Sequence, residues 1–253
     1  MKHVTIIAAP KALGSTVTIP LEMLSAANDI ARARRQLDKL VTIELASALN
    51  NRQVTLSGGL NISCQRTLEN ISKSDLIFIP GIWGNPRTTL PRLKPMLKWL
   101  REQSNSGSTL CSMVTGSFIL AEAGQLDGKL ATTHWRFFDE FEQRYPDVKL
   151  ERKRFITNDE NIYCTGSVNA VRDIMLHFIE NMYGDSIARE IARHFTHELK
   201  RSYESLLLNE DQKRSHHDEV IIKVQEWLGQ HYQEEIVIAA VAKQFRLSVR
   251  SLN

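Results

Sequence analysis

The segment from residue 75 to 81, Asp-Leu-Ile-Phe-Ile-Pro-Gly, is the feature that most constrains how this chain folds. A continuous apolar run closed by Pro80-Gly81 is typical of a strand buried in a parallel sheet and of the loop that follows it. Apolar spacing predicts further elements of both kinds. Strands are predicted at 4–9, 41–46 and 108–113, a strand pair around 148–163, a turn between short strands at 56–60, and helices at 19–35, 93–103, 117–123, 135–145 and 168–183. Strands that alternate with helices predict a parallel sheet covered by helices on both faces.

Composition narrows the class of protein. The 253 residues are 42% hydrophobic and 24% charged, which excludes a disordered or collagen-like chain. No apolar run approaches the roughly 18 residues of a membrane span, and residues 1–14 have the pattern of a first strand rather than a signal peptide. Cys64, Cys111 and Cys164 are odd in number and widely spaced, so they predict neither a disulfide framework nor a metal site and fit a reducing cytoplasm. The sequence has no P-loop and no GxGxxG motif, and no cofactor is predicted.

The character of the chain changes after about His197. Residues 198–217 are polar, and residues 218–253 show helical patterns without a strand. We therefore predict an α/β domain over 1–197, a linker over 198–217 and a small all-α segment over 218–253. The last predicted helix begins near Arg246 and reaches only a few residues further. Because so short a helix is not stable alone, we expect this segment to be truncated.

The helices of the last segment have the pattern of a helix-turn-helix. Ser248 is suited to cap the second helix, and its hydroxyl and the free backbone N–H groups beside it can contact phosphate. Arg250 lies in the first turn, within reach of a base edge or a phosphate, and Lys243 and Arg246 have no acidic neighbour. The alternative is an ordinary helical hairpin with a solvated arginine. Charge does not decide between the two, because residues 198–253 carry eight Lys and Arg against nine Asp and Glu.

Particular residues add to the helical pattern. The run Val241-Ala-x-x-Phe-x-Leu-Ser-x-Arg-x-Leu252 resembles the first half of an AraC-type DNA-binding domain. That family places an alanine in the first helix of the motif and Ser-x-Arg-x-Leu at the start of its recognition helix. The resemblance implies promoter DNA as a partner through the complete domain. It also implies that the rest of the recognition helix and a second helix-turn-helix are missing from the 253 residues.

The stretch from residue 114 to 135 points to a site. A strand is predicted to end near Met113, Gly116 allows close packing, and a helix follows. Many α/β enzymes place a nucleophile on such a strained turn, where a helix N-terminus lowers the pKa of a cysteine. The stretch, which ends in Thr-Thr-His-Trp135, resembles the PfpI-like branch of the class I glutamine-amidotransferase-like superfamily, in the version fused to AraC-type domains. The family's Pro-Gly-Gly loop is matched by Pro80-Gly-Ile-Trp-Gly84, with Ile82 in place of a glycine. The resemblance covers about residues 2–193 and implies a flavodoxin-like open parallel sheet sandwiched by helices.

One departure from the family decides the expected chemistry. The family has its cysteine nucleophile two residues before Gly116, where this chain has Val114, and a valine cannot attack a carbonyl. We therefore predict no enzymatic activity. Thr16 stands in the region of the family's acidic partner, and Glu22, the first carboxylate of the chain, is expected at the surface. The alternative is an amidase or hydrolase that uses Cys111, although a thiol on the strand body is expected to be buried and inert.

These patterns predict a two-domain cytoplasmic transcription regulator. Its α/β domain is expected to sense a small molecule of unknown identity or to hold a homodimer, the latter on the strength of the resemblance. The predicted ligand-pocket residues are Thr16, Gly81, Ile82, Val114, Thr115 and His134. Carboxyl ends of parallel strands form the default binding site of open α/β sheets. Two alternatives stay open: a vestigial pocket that serves only as core and dimer scaffold, and a dimeric scaffold whose helical tail binds protein instead of DNA.

Overall fold

The computed structural model describes residues 2–195, together with residues 224, 227, 238–245 and 247. The chain divides into two compact units, Met1–Asn209 and Glu210–Asn253. The predicted linker, 198–217, lies outside the described residues, and the predicted domain bounds therefore stay predictions. Arg246, Ser248 and Arg250 also lie outside the described residues.

The described residues form eleven strands and seven α-helices, with short 3-10 helices in the connections between them. The strands are β1 (His3–Ala8), β2 (Thr42–Ser47), β3 (Gln53–Thr55), β4 (Asn61–Ser63), β5 (Arg66–Thr67), β6 (Leu76–Ile79), β7 (Thr109–Met113), β8 (Leu130–Ala131), β9 (Lys149–Leu150), β10 (Ile156–Asp159) and β11 (Ile162–Thr165). The helices are α1 (Ser15–Ala33), α2 (Lys94–Asn105), α3 (Ser117–Glu122), α4 (Phe138–Arg144), α5 (Val168–Tyr183), α6 (Asp185–Phe195) and, in the second unit, α7 (Ile238–Gln244).

The first unit is built on a seven-stranded sheet in the order β10-β11-β7-β6-β1-β2-β5. Every neighbouring pair is parallel except β10 with β11. The chain runs outward from β1 to β2 and β5 and then crosses to the other side of β1 to form β6. The strand order therefore reverses between β1 and β6, and the carboxyl ends of the strands at such a reversal are where ligands bind in open α/β sheets. The predicted parallel sheet is confirmed.

Helices cover both faces of this sheet. Helix α1 packs against α5 and α6, and α2 packs against α3. The connections through α1 and through α2 leave the centre of the sheet in opposite directions, so right-handed crossovers place the two helices on opposite faces. All four residues of β6 are buried between these layers, as a continuous apolar run predicts.

Two helices differ from the sequence prediction. Helix α1 begins at Ser15 rather than near residue 19, and it continues through Pro20. The prediction began near residue 19 because the regular apolar spacing begins there. The extra turn is fixed by Thr16, whose Oγ1 donates a 2.7 Å hydrogen bond to the carbonyl of Leu13. Helix α6 was not predicted as a separate element; it follows Gly184, whose φ of +89° ends α5.

A buried hydrogen-bond network joins α1 to the end of α5. The Asn28 side chain donates to the carbonyl of Val41 at 2.9 Å and accepts from its N–H at 3.1 Å. The Tyr183 hydroxyl donates to Oδ1 of the same asparagine at 2.9 Å.

We expect Tyr183→Phe to lower the free energy of unfolding by about 1 kcal/mol, because it removes one buried hydrogen bond and leaves the apolar ring in place. Urea denaturation with an unchanged m-value would measure this loss, and a change within a few tenths of a kcal/mol would contradict it.

The described part of the second unit is helical. Within α7, Val241 and Ala242 are buried and Lys243 is exposed. The helix ends with a hydrogen bond from the Leu247 N–H to the Ala242 carbonyl at 2.8 Å. The helical pattern predicted for this segment is therefore confirmed over the described residues, although Ile238 is 40% exposed.

Candidate ligand site at the strand–helix elbow

The turn between β7 and α3 has a strained backbone. Val114 has a φ of +57°, a left-handed conformation that a β-branched residue rarely adopts. Neighbouring hydroxyls hold it: the Val114 N–H donates to Thr165 Oγ1 at 3.3 Å, and its carbonyl accepts from Thr133 Oγ1 at 3.3 Å. The turn predicted as a nucleophile elbow therefore exists, with an aliphatic side chain at its centre.

Two glycines bring the exit loop of β6 against this elbow. A Cβ on Gly116 would lie 2.8 Å from the carbonyl oxygen of Ile79 and 2.9 Å from that of Pro80. A Cβ on Gly81 would lie 2.9 Å from the carbonyl oxygen of Met113 and 3.0 Å from Cβ of Val114. Real Cβ atoms do not approach backbone so closely, so the two loops touch only because both positions are glycine. The close packing predicted at Gly116 is confirmed.

Two threonine hydroxyls fasten the same loop. Thr115 Oγ1 accepts from the N–H of Ile82 and donates to the carbonyl of that residue, both at 2.8 Å. Thr16 Oγ1, at the start of α1, accepts from the N–H of Gly81 at 3.2 Å. The carboxyl ends of β1, β6 and β7 thus bring together five of the six predicted pocket residues.

These five residues pack tightly. The side chains of Thr16, Ile82, Val114 and Thr115 are at most 3% exposed, and Gly81 is also buried. The hydroxyls of Thr16 and Thr115 are hydrogen-bonded to backbone groups. The elbow of this structure is therefore a close-packed junction of three loops, and its use as a ligand pocket stays a prediction.

His134 lies apart from these contacts. Its half-buried ring packs beside Trp135 and Phe137, with ring centroids 5.4 and 6.3 Å away, and its Nδ1 accepts from the N–H of Arg136 at 3.4 Å. Burial, and secondly the charge of Arg136, lower the pKa of His134 below its usual value, so the ring is neutral at pH 7. Its link to the elbow is the preceding residue, Thr133, whose hydroxyl donates to the Val114 carbonyl.

Comparison with known proteins decides the family. The family pattern described as the DJ-1/PfpI family matches residues 2–181, which hold the sheet, the elbow and all six predicted pocket residues. The chain belongs to the DJ-1/PfpI family.

Individual relatives include both regulators and an enzyme. The HTH-type transcriptional regulator CdhR of Pseudomonas aeruginosa is 33% identical over 142 residues, which are 56% of this chain and 41% of CdhR. Isonitrile hydratase of Pseudomonas putida is 31% identical over 137 residues, 54% of this chain and 58% of the hydratase. The chain thus spans about half the length of the curated relatives it matches. An AraC family transcriptional regulator from Pseudomonas putida shares the fold, with a TM-score of 0.61 at 19% identity over 78% of this chain and 100% of that one.

The cysteines of the DJ-1/PfpI domain are buried. Cys111 lies inside β7 and is fully buried, and burial, followed by the neighbouring Cys164, raises its pKa well above the usual value. Burial likewise raises the pKa of Cys64 and of Cys164 to about 11.

Glu22 is exposed on α1, as expected. Among the described residues, no group of His, Cys, Asp and Glu side chains could hold a metal ion, and no helix is long and apolar enough to cross a membrane.

Sequence reasoning missed two features of the DJ-1/PfpI domain. The first is the pair of hydroxyls, from Thr133 and Thr165, that hydrogen-bond the backbone of the elbow. The sequence signal for Thr165 is the glycine that follows it. A Cβ on Gly166 would lie 2.9 Å from the Thr133 carbonyl oxygen, so the chain passes close to Thr133 at this point. The second is a cleft of about 280 Å³ between α2 and the carboxyl ends of β2 and β5. Its lining includes Ser47, Thr67, Glu69, Met96, Trp99 and Glu102. No motif marks these positions, and the predicted pocket residues do not line the cleft.

Proposed function

We propose that this chain is a sequence-specific DNA-binding transcriptional regulator of the AraC type whose DJ-1/PfpI domain is catalytically inactive. The observation that carries the proposal is Val114: the strained elbow is present, and its central side chain has neither a proton to lose nor a lone pair to donate. The similarity to CdhR and to an AraC family structure supports the regulator role.

The DJ-1/PfpI domain has a regulatory role in this proposal. It binds a small-molecule effector at the elbow, holds a homodimer, or does both, in the cytoplasm. The buried hydroxyls of Thr16 and Thr115 and the backbone N–H groups of Gly81 and Ile82 are the polar groups that an effector would meet after displacing their present partners. An effector that prefers one arrangement of this junction shifts the population toward it, and the spacing of two DNA-binding domains changes with it.

DNA contact is assigned to the second unit. Lys243 is exposed in the last turn of α7, and the other proposed contacts are Arg246, Ser248 and Arg250. We expect Arg250→Ala to weaken binding to the DNA upstream of the protein's own gene by roughly tenfold to a hundredfold, the cost of one lost base contact. Electrophoretic mobility shift or fluorescence anisotropy over several salt concentrations measures this. Arg136→Ala, an exposed position in the DJ-1/PfpI domain, is the matched control and should bind as the unchanged chain does.

The same titration can contradict the proposal. A chain that binds upstream and random DNA equally at every salt concentration is not a sequence-specific regulator. Equal binding by Arg250→Ala and the unchanged chain would leave the regulator role but remove the assigned contact.

A second candidate function is enzymatic, because isonitrile hydratase is among the relatives. Because Val114 occupies the elbow, Cys111 would have to act as the nucleophile. That thiol is fully buried on the strand body and its pKa is raised, whereas a catalytic thiol needs exposure and a lowered pKa. The observations therefore favour the regulator.

A further inference from the structure

One segment of the first unit, around helix α2, carries an excess of positive charge. Residues 85–105, which include α2, carry five Lys and Arg and a single carboxylate, a net charge of +4. The whole chain carries +3, and residues 198–253, the predicted linker and DNA-reading segment, carry −1. The excess positive charge therefore lies in the α/β unit and not in the segment predicted to read DNA.

Three of the five cations of this segment share one exposed surface, whereas Arg87 lies 3.7 Å from Glu140. At 3.6 residues per turn, Lys94, Lys98 and Arg101 fall within about 60° of one another around α2, opposite its buried side. Arg92, just before the helix, is exposed as well, but at two residues before Lys94 it points away from these three side chains. We call Lys94, Lys98 and Arg101 the basic face.

Carboxylates do not neutralise the basic face. Lys98 lies 3.7 Å from Glu102, but their side chains are 79% and 59% exposed, so water screens this pair and it holds the lysine weakly. Glu69 lines the same cleft as Lys98 and brings a second carboxylate near this lysine. Among the described residues, no carboxylate lies within ion-pair distance of Lys94 or Arg101.

The chemistry of this surface suits a polyanion better than a protein. The large apolar side chains exposed in the described part of the chain are Leu37, Leu60, Trp83, Trp135, Phe155 and Ile238, and none of them belongs to 85–105. Protein interfaces depend on buried apolar and aromatic anchors, whereas phosphate contacts need only Lys and Arg. Lys94 and Arg101 are about 10 Å apart along the axis, over which duplex DNA presents roughly six phosphates.

We propose that the basic face of α2 binds the phosphate backbone of DNA and adds sequence-independent affinity to the contacts of the helix-turn-helix. The inference rests on the proposed function for its choice of DNA as the polyanion. It predicts that the DJ-1/PfpI domain of this chain contributes directly to DNA binding.

The test compares the salt dependence of DNA binding by the full chain and three matched triple variants. Lys94→Gln, Lys98→Gln and Arg101→Gln together should flatten the slope of log K against log salt by about 2 to 3, at roughly 0.9 for each lost phosphate contact. Lys94→Arg, Lys98→Arg and Arg101→Lys together keep the charge and should keep the slope. Arg35→Gln, Lys149→Gln and Lys153→Gln together remove the same charge from exposed positions elsewhere and should also keep it.

Each variant is titrated on the upstream duplex, on a random duplex of equal length and on phosphatidylserine vesicles. Equal slopes for the first variant and the unchanged chain overturn the inference, as does a loss confined to the vesicles or a chain that binds neither duplex at low salt. Failure of the proposed function looks different: the unchanged chain would not prefer the upstream duplex, while the slopes on the random duplex would still report on the basic face. Matching thermal melts establish that all variants are folded.

Discussion

Gly116→Ala is expected to destabilise the protein although Ala is the better helix former. The new Cβ would lie 2.8 and 2.9 Å from the carbonyl oxygens of Ile79 and Pro80, and neither backbone atom can rotate away. Overpacking of this kind costs roughly 1–3 kcal/mol. The lower backbone entropy of the unfolded alanine variant offsets less than about 1 kcal/mol of this cost. We expect a net loss of about 2 kcal/mol, measured as a lower free energy of unfolding in urea with an unchanged m-value.

Gly14→Ala is the matched control for this substitution. Gly14 also precedes a helix and has helical dihedrals, with φ −51° and ψ −44°, but the nearest atom to its added Cβ is Leu60 Cδ2 at 4.0 Å. The unfolded chain loses the same backbone entropy here, but no clash opposes the effect, so this variant should be as stable as the unchanged chain or slightly more stable. Equal effects at the two positions would show that the loop after β6 can move away from the elbow, and the close approach would then not be a rigid feature of the site.

The sheet could be predicted from the sequence because its signals are local. The run at β6 is apolar at every position and is followed by Pro80-Gly81, and both properties are visible without knowing the partners of the strand. Helix α5 was predicted with the observed bounds, since its apolar spacing is regular and Ser167 caps its start by accepting from the N–H of Ala170. The early start of α1 was not predicted, because the regular apolar spacing begins only near Ile19, after the first turn of the helix.

The elbow was predicted as a position but not as a packed arrangement. The motif places Val114 and Gly116 on a turn, but it does not say that Thr115 is bonded to both backbone groups of Ile82, 33 residues earlier. Contacts at such separations depend on the register of β6 with β7, in which Ile79 pairs with Ser112. The cleft beside α2 was missed for the same reason: its walls come from strand ends and a helix that are distant in sequence and carry no shared motif.

The native chain is expected to resist thiol reagents. Cys64, Cys111 and Cys164 are all fully buried. With a pKa of about 11, Cys64 and Cys164 are only about one part in a thousand thiolate at pH 8, whereas an unperturbed cysteine is roughly a quarter ionised. Because the thiolate is the reacting form, ionisation alone slows modification by more than about a hundredfold, and burial slows it further. Absorbance during reaction with an aromatic disulfide reagent should show no rapid phase in the folded protein and three reacting thiols in denaturant.

The matched control for this measurement is Ser72→Cys, which adds a thiol at an exposed position and should give one rapid phase. The raised pKa carries a sign: in the folded protein the ionised fraction of Cys64 and Cys164 should keep rising about tenfold per pH unit above pH 9, where an ordinary cysteine is already mostly ionised. A single fast thiol in the unchanged chain, lost in Cys111→Ser, would contradict the prediction and favour the enzyme. If no thiol reacts rapidly, the elbow has no sulfur nucleophile, because its central residue is Val114. A thioester intermediate then cannot form at this turn.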